Sequence, residues 1–207
     1  MSGIRWWGES VAPAVLALLA QQGWPVVGDE GEVWLVNRPD SQSWAQLILR
    51  YQGQPLYAID CPWPLPPFAN LPDDASLWGA RLAAPWQTAA AAAEVIDHAL
   101  LDDYLATIGR DGLRNSVLML RQLLPEYLLA LAEPWQQRDG VALSKAAHRL
   151  KGAFATLGLV RLRQWAHVVQ DHTLSPVGQE ALQQLLAWCK RDLDALALVL
   201  SSSSAGR

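Results

Sequence analysis

The chain has 207 residues, of which 51% are hydrophobic and 17% charged, with a formal net charge of -4 and a pI near 5.5. This length suits one large domain or two small ones. The acidic balance argues against a general nucleic-acid-binding protein, which needs a basic face to neutralise phosphates. Residues 1–93 carry four Arg against eight acidic residues, whereas 94–207 carry twelve of each sign. A positively charged surface is therefore expected only in the second half.

Cysteine usage and hydropathy indicate where the protein works. Cys61 and Cys189 are the only cysteines and form no CxxC motif, which favours a reducing compartment. No apolar stretch approaches the ~20 residues that cross a bilayer. Ser10 and Pro13 make the apolar run at 11–20 more typical of a helix start than of a signal peptide. We expect a cytoplasmic chain without membrane contact of its own, or the cytoplasmic end of an inner-membrane protein.

The pattern of residues 1–93 predicts a small α/β domain. A helix is expected from Ser10 to Gln22, with Ser10 as its N-cap and Gly23 just past its end. Residues 61–74 contain five prolines and predict a long loop. "SLWGARLAAP" is expected to supply a last strand or turn, and "WQTAAAAAEVI" a helix. Four runs between turn residues have strand composition: "GWPVV", "EVWLVN", "AQLILRY" and "PLYAID".

From Asp97 onwards, helical periodicity replaces the strand pattern. Asp97 is expected to cap a helix that ends at Gly109, and a Leu-rich helix with a kink at Pro125 follows. A third helix is closed by Gly158, "LVRLRQWAHVVQDH" is a fourth, and a fifth runs from Ser175 to about residue 200. Short connections place successive helices antiparallel in a bundle.

These patterns predict an α+β protein in two parts. A small α/β domain occupies residues 1–93, and an all-α bundle occupies 94–200. The segment "SSSSAGR" at 201–207 is expected to be a disordered tail.

The stretch "AAHRLKGAFATLGL" at 146–159 places His148 away from the apolar side of its helix. At about 100° per residue, the apolar positions fall opposite the imidazole. Gly152 costs the helix about 1 kcal/mol relative to alanine, yet it would let another surface come close. Lys151 lies one turn on and can reach the same space. The residues on the histidine side are small or cationic: Ser144, Lys145, Lys151, Gly152 and Ala155.

This combination suits attack on a phosphoryl group. A neutral, exposed imidazole is nucleophilic, and phosphoryl transfer depends mainly on positioning and on neutralising charge. The alternative is that His148 is only a solvated side chain and that Gly152 allows tight helix packing. His98 is in the first turn of a helix, and His167 and His172 are neither paired at i+4 nor accompanied by suitable carboxylates. A zinc site is therefore not expected.

The segment "AHRLKGAFATLGL" closely resembles the histidine-containing phosphotransfer (HPt) domain. The family pattern is an apolar-spaced His-x-Leu-Lys-Gly with a further Gly six residues later, here His148, Leu150, Lys151, Gly152 and Gly158. The resemblance covers about residues 97–200. It implies a four-helix bundle in which His148 takes phosphate from the aspartyl phosphate of a receiver domain and passes it to another receiver.

The resemblance also implies roles for the neighbours of His148. Lys151 would neutralise the phosphoryl oxygens, Gly152 would make room for the receiver, and Gln164 on the following helix would orient the imidazole. The fourth helix departs from the family's "C-x-x-L-E" pattern and shows "WAHVVQD". No cofactor or metal is expected on this chain, because the Mg²⁺ belongs to the partner receiver. Partner contacts are expected from Lys145, Arg149 and Ala155.

Residues 1–93 resemble a receiver domain that has lost its chemistry. A working receiver needs an acidic pair, a phosphoacceptor aspartate and a late lysine, where this chain has Glu9, Asp60 and Ala84. The better match is the α/β-loop module that precedes the HPt domain in the membrane-anchored intermediate of the Rcs phosphorelay. Element order, length and the proline-rich loop agree with it. In that system the two modules recruit the response regulator.

Two functions therefore compete. The first is a phosphorelay intermediate, without kinase activity of its own, that accepts phosphate from the receiver of a hybrid sensor kinase onto His148 and passes it to a response regulator. The second is a non-catalytic interaction module that recruits a response regulator or another signalling partner. Eight of the eleven tryptophans lie at or before Trp86, and tryptophan is enriched at interface hot spots. The alternative is that these tryptophans form the core and cover the sheet. No nucleic acid is expected as a partner.

Overall fold

The computed structural model of the protein describes residues 3–28, 31–51, 53–66, 69–83 and 95–202. The chain divides into two compact units, Met1–Ala90 and Ala91–Arg207. The predicted boundary at 93 and 94, Ala84 and nearly all of "WQTAAAAAEVI" lie outside the described residues and stay predictions. The final helix extends to Ser202, so a tail beginning at 201 was placed too early.

The first unit is built on a four-stranded parallel sheet in the order β1-β2-β3-β4. All five residues of β2 are buried, as in a parallel strand covered on both faces. The flavodoxin-like order of receiver domains places the first strand between the second and third. Here β1 is next to β2 alone among the named strands, which disfavours the receiver-like description. The α/β-loop description stays a prediction. The strands are β1 (Ile4–Gly8), β2 (Val33–Asn37), β3 (Leu56–Ile59) and β4 (Ala69–Asn70); the helices are α1 (Pro13–Gln21), α2 (Ser41–Arg50) and α3 (Trp78–Ala83).

The prediction of a strand at "AQLILRY" is wrong, because most of this segment lies in α2. Its composition suits a strand, but Trp44, Leu47 and Ile48 follow the helical period and are all buried. Asp40 caps the helix by accepting a hydrogen bond from the backbone N–H of Ser43 at 2.6 Å. Helical periodicity and a cap therefore prevail over β-type composition.

Other boundaries in this unit also differ from the prediction. The first strand, "IRWWG", was missed, and "SLWGARLAAP" supplies a 3-10 turn at Ala75–Leu77 and then α3 rather than a strand. Helix α1 begins at Pro13 and has Ala12, not Ser10, at its N-cap. Proline suits the first helical position because its missing N–H has no partner there in any case.

The second unit is helical, and the predicted four-helix bundle is confirmed. Helices α5 to α8 contact one another in sequence, α8 packs back against α5, and α4 packs on α5. Asp97 caps α4, and Gly109 and Gly158 adopt positive φ after α4 and α6, as the sequence predicts. Helix α5 continues through Pro125. The helices are α4 (His98–Thr107), α5 (Gly109–Gln137), α6 (Gly140–Thr156), α7 (Val160–Asp171) and α8 (Pro176–Ser202).

A buried ion pair joins α7 to α8. Arg161 donates from Nε to Asp192 Oδ2 at 2.9 Å and from Nη2 to Oδ1, and its guanidinium lies 4.0 Å from the ring centroid of Trp188. The two charged side chains are only 7% and 1% exposed. Burial raises the pKa of Asp192, while the hydrogen bonds from Arg161 act in the opposite direction. Because both charged groups are removed from water, substitution of either partner would leave the other charge buried and unpaired.

We expect Arg161→Met to lower the free energy of unfolding by about 3 kcal/mol, because Asp192 is left buried and unpaired. The double variant Arg161→Met/Asp192→Leu should recover most of this loss. Urea unfolding followed by circular dichroism measures both. The matched control is Arg121→Met, which breaks the half-exposed pair with Asp194 and should cost only about 0.5 kcal/mol. An Arg161→Met chain as stable as the control would contradict the argument.

Candidate functional site

His148 lies near the middle of α6, on its exposed face. Asp139 begins the helix by accepting hydrogen bonds from the backbone N–H groups of Val141 and Ala142. The opposite face packs into the bundle, so the imidazole projects to solvent, as the sequence predicts. The buried face comprises Leu143, Ala146, Ala147, Leu150 and Phe154.

The imidazole has one contact that fixes its chemistry. His148 Nδ1 lies 3.3 Å from Oε1 of Gln170 on α7. An amide oxygen can only accept a hydrogen bond, so this contact is a hydrogen bond in the tautomer that carries the ring proton on Nδ1. The lone pair is then on Nε2, the nitrogen that does not face Gln170. The site therefore presents a nucleophilic nitrogen to solvent.

Gln164, the residue expected to orient the imidazole, does not occupy this position. It is exposed on α7 and precedes Gln170 by six residues, about 9 Å along the helix axis. The contact comes from Gln170, which the sequence analysis missed. The sequence did contain a signal for this contact. When two antiparallel helices are connected by a turn at Gly158, a residue before the turn lies opposite a residue about as far after it, and His148 is ten residues before the turn. Gln170, twelve residues beyond the turn, fits that count better than Gln164.

A shallow depression of about 660 Å³ surrounds the imidazole. Two of the three predicted partner contacts, Lys145 and Arg149, line it. The third, Ala155, does not; it is half-buried, two turns further along the histidine side of α6. The lining residues are Ser144, Lys145, His148, Arg149 and Gln170.

The surface around His148 is cationic and not neutralised internally. Helix α6 contains no acidic residue. Lys145 and Arg149 are exposed and Lys151 is half-buried, and none of the three forms an ion pair with any residue that the structure describes. Unpaired cations around an exposed nucleophile favour an incoming anion.

Gly152 leaves open space beside the histidine. A Cβ built on it would meet no atom within 4 Å, and the residue is exposed. The alternative that this glycine allows tight packing within the bundle is therefore wrong. Gly158 differs, because its φ of +66° is one that side chains rarely adopt. The space at Gly152 is available to another molecule.

The other histidines do not share these features. The prediction that His167 has no suitable carboxylate nearby is wrong, since its Nδ1 lies 3.2 Å from Asp171 Oδ2. His98 is the first residue of α4, and His172 follows the end of α7. Within the described ranges, no three His, Cys, Asp or Glu side chains are grouped as a metal site requires. Both cysteines are free, and burial raises the pKa of Cys61 to about 11.

Several tryptophans of the first unit form hydrogen bonds that hold its loops. Trp44 and Trp63 stack with centroids 5.9 Å apart, and the indole N–H of Trp44 reaches into the proline-rich loop. Five of the described tryptophans thus have backbone hydrogen-bond partners within the unit, which weakens the argument from tryptophan enrichment for an interface. Five indoles donate to backbone carbonyls: Trp6 to Glu9 at 2.9 Å, Trp7 to Ser43 at 2.6 Å, Trp44 to Pro64 at 2.5 Å, Trp63 to Pro39 at 2.8 Å and Trp78 to Pro72 at 2.7 Å.

The first unit does not assemble a receiver site from its described residues. Asp60 follows β3, but Arg38 binds its carboxylate, with Nε 2.7 Å from Oδ2. Both side chains are more than half exposed. The partner of this aspartate is therefore a cation on the surface rather than a second acid that could help hold Mg²⁺.

Comparison with known proteins identifies a family that part of the second unit matches. Residues 116–200 match the family model described as Hpt domain, and His148 and Gln170 lie inside the match. The histidine-containing phosphotransfer domain of ArcB from Escherichia coli is structurally similar, with a TM-score of 0.48 and 20% identity over 53% of this chain and 96% of that chain. No curated protein matches the sequence. In the parts of the chain that the structure describes, no helix has both the length and the apolar character needed to cross a membrane. The helical unit therefore carries a match to the Hpt domain over residues 116–200, and this match supports a role in histidine phosphotransfer.

Proposed function

We propose that His148 accepts a phosphoryl group from the phosphorylated aspartate of one receiver domain and passes it to the aspartate of a second, that of a response regulator. The observation that carries this proposal is the contact between His148 Nδ1 and Gln170 Oε1, which leaves Nε2 as the exposed nucleophile. A receiver of a hybrid sensor kinase is the proposed donor. The proposal places the chain in the cytoplasm with both receivers.

The transfer step balances without a further reactant. The Nε2 lone pair attacks phosphorus, the bond between phosphorus and the aspartyl oxygen breaks, and the carboxylate leaves with the electron pair. The proton stays on Nδ1, so the phosphorylated ring carries a positive charge. Gln170 Oε1 accepts the hydrogen bond from that N–H and stabilises the charge. The reverse step delivers the group to the second receiver.

The cations of α6 would stabilise the charge that moves during transfer. Lys151 is half-buried and one turn from His148, so its stem is partly fixed and its ammonium can reach the phosphoryl oxygens. Lys145 and Arg149 line the depression and would contact the partner. In this proposal the divalent cation comes with the receiver, and this chain contributes no metal ligand.

The interaction-module alternative is weaker on present observations. Its support was the concentration of tryptophans in the first unit, and five of those eight tryptophans donate to the unit's own backbone. Recruitment of the response regulator by the first unit stays a proposal that the Rcs resemblance alone supports.

We expect His148→Gln to accept no label from any phosphorylated receiver and to remain folded, because substitution at an exposed position changes stability by no more than about 0.5 kcal/mol. Incubation with radiolabelled receivers, scored for acid-labile and alkali-stable phosphate, tests this. His172→Gln is the matched control, since it changes another exposed histidine in the same unit. Label on His148→Gln would show that the phosphoacceptor lies elsewhere.

Lys151→Ala should slow transfer about tenfold, because a charge-assisted hydrogen bond to the moving group is worth about 1.4 kcal/mol. Lys151→Arg keeps the charge and should retain most of the rate. Rapid-quench kinetics under single-turnover conditions measure both. Lys190→Ala is the control, since that lysine pairs with Asp194 on α8. Equal rates for Lys151→Ala and the control would remove Lys151 from the site.

Gly152→Ala should stabilise the chain by about 0.5–1 kcal/mol, because alanine favours the helix and its Cβ meets no atom of the protein. Transfer should nevertheless slow, and more so with Gly152→Leu, because the added atoms occupy the space reserved for the receiver. Thermal unfolding and transfer kinetics on the same samples separate the two effects. Full transfer activity in Gly152→Leu would contradict close approach at this position.

A further inference from the structure

We infer that Ser144 is a positioning residue for phosphoryl transfer and that it acts through Gln170; the inference rests on the proposed function of His148. Ser144 Oγ donates a hydrogen bond to the backbone carbonyl oxygen of Gln170 at 2.9 Å. The side chain of the same glutamine meets His148 Nδ1 at 3.3 Å. One residue of α7 is thus held by α6 at two points.

The spacing on α6 makes this double contact possible. Ser144 precedes His148 by four residues, so the two side chains lie one above the other on the same face of the helix. Ser144 holds the backbone of Gln170, and His148 meets the end of its side chain. Both residues also line the depression around the imidazole. Because Ser144 and His148 belong to the same helix, the two hydrogen-bond contacts together fix both the backbone and the side chain of Gln170 relative to α6.

The position of Gln170 explains why it needs this support. It is the penultimate residue of α7, which ends at Asp171. The last four carbonyls of a helix have no partner within the helix, and helix ends fray. The Ser144 hydroxyl supplies a partner to one of these carbonyls from the neighbouring helix. It holds the end of α7 that presents Gln170 to the imidazole.

Loss of this hydrogen bond would act on the chemistry of His148. A displaced Gln170 no longer accepts from Nδ1, so the ring proton distributes between the two nitrogens. Only the molecules that keep the proton on Nδ1 would have a lone pair on Nε2 for attack. The phosphorylated ring would also lose the acceptor that stabilises its charge. Ser144 therefore affects transfer without touching the reacting atoms.

A double-mutant cycle on the full chain tests the inference. Ser144→Ala should slow transfer from a phosphorylated receiver about threefold and Gln170→Ala about fivefold, the range expected for single hydrogen bonds. The double variant should be no slower than Gln170→Ala, because Ser144 has nothing left to position. Ser144→Thr retains a hydroxyl and should transfer the phosphoryl group at about the wild-type rate. Ser116→Ala is the control, since Ser116 donates only within α5, to Gly112.

A second measurement does not depend on transfer. The ¹⁵N chemical shifts of the His148 ring report its tautomer, which should be Nδ1–H in wild type and mixed in both Ser144→Ala and Gln170→Ala. A Ser144→Ala chain with wild-type shifts, or rate losses that multiply in the double variant, would overturn the positioning role while wild type is still labelled. A wild type that accepts no label from any receiver would overturn the proposed function itself. The two failures are therefore distinguishable.

Discussion

The burial of one apolar stripe on α6 is the constraint on which the site depends. Leu143, Leu150 and Phe154 are at most 1% exposed, and close packing leaves such side chains no alternative position. A rotation of α6 by one residue, about 100°, would withdraw them from the core. The exposed face of the helix is fixed by that packing, and with it the direction of His148. The imidazole is accessible because the hydrophobic effect acts on the other side of the same helix.

The second requirement is the position of α7 along α6. The α6–α7 connection is short and includes Gly158, whose backbone carbonyl accepts from Asp97 N–H at 2.8 Å. At the other end, Ser144 binds the carbonyl of Gln170, and the Arg161–Asp192 pair holds α7 against α8. These contacts bring Gln170 opposite the imidazole. A nucleophile that depends on one amide oxygen needs its helix held within a fraction of a turn.

The two units use their polar side chains differently. In the first, indole N–H groups form hydrogen bonds that connect loops with one another and with α2. These bonds add stability to a unit with short strands, a proline-rich connection and only a small core. In the second, the cations of α6 have no acidic partners among the described residues and stay available to an outside anion. The surface around His148 therefore combines a nucleophilic side chain with positive charge that an incoming phosphoryl group can compensate.

Local sequence determined the helices of the second unit, their capping at Asp97 and Gly158, and the exposed face with His148, Lys151 and Gly152. These features depend on a 3.6-residue period and on caps, which a single segment specifies by itself. Tertiary structure decided that Gln170 rather than Gln164 meets the imidazole, because the axial offset of two helices is set by packing between residues far apart in sequence. It also decided that most of "AQLILRY" lies in α2, where the apolar side chains of the segment are buried on one face of a helix. A strand of this composition would have placed them on the faces of the sheet instead. Short apolar segments fit either structure, and only the surface available for their burial distinguishes the two.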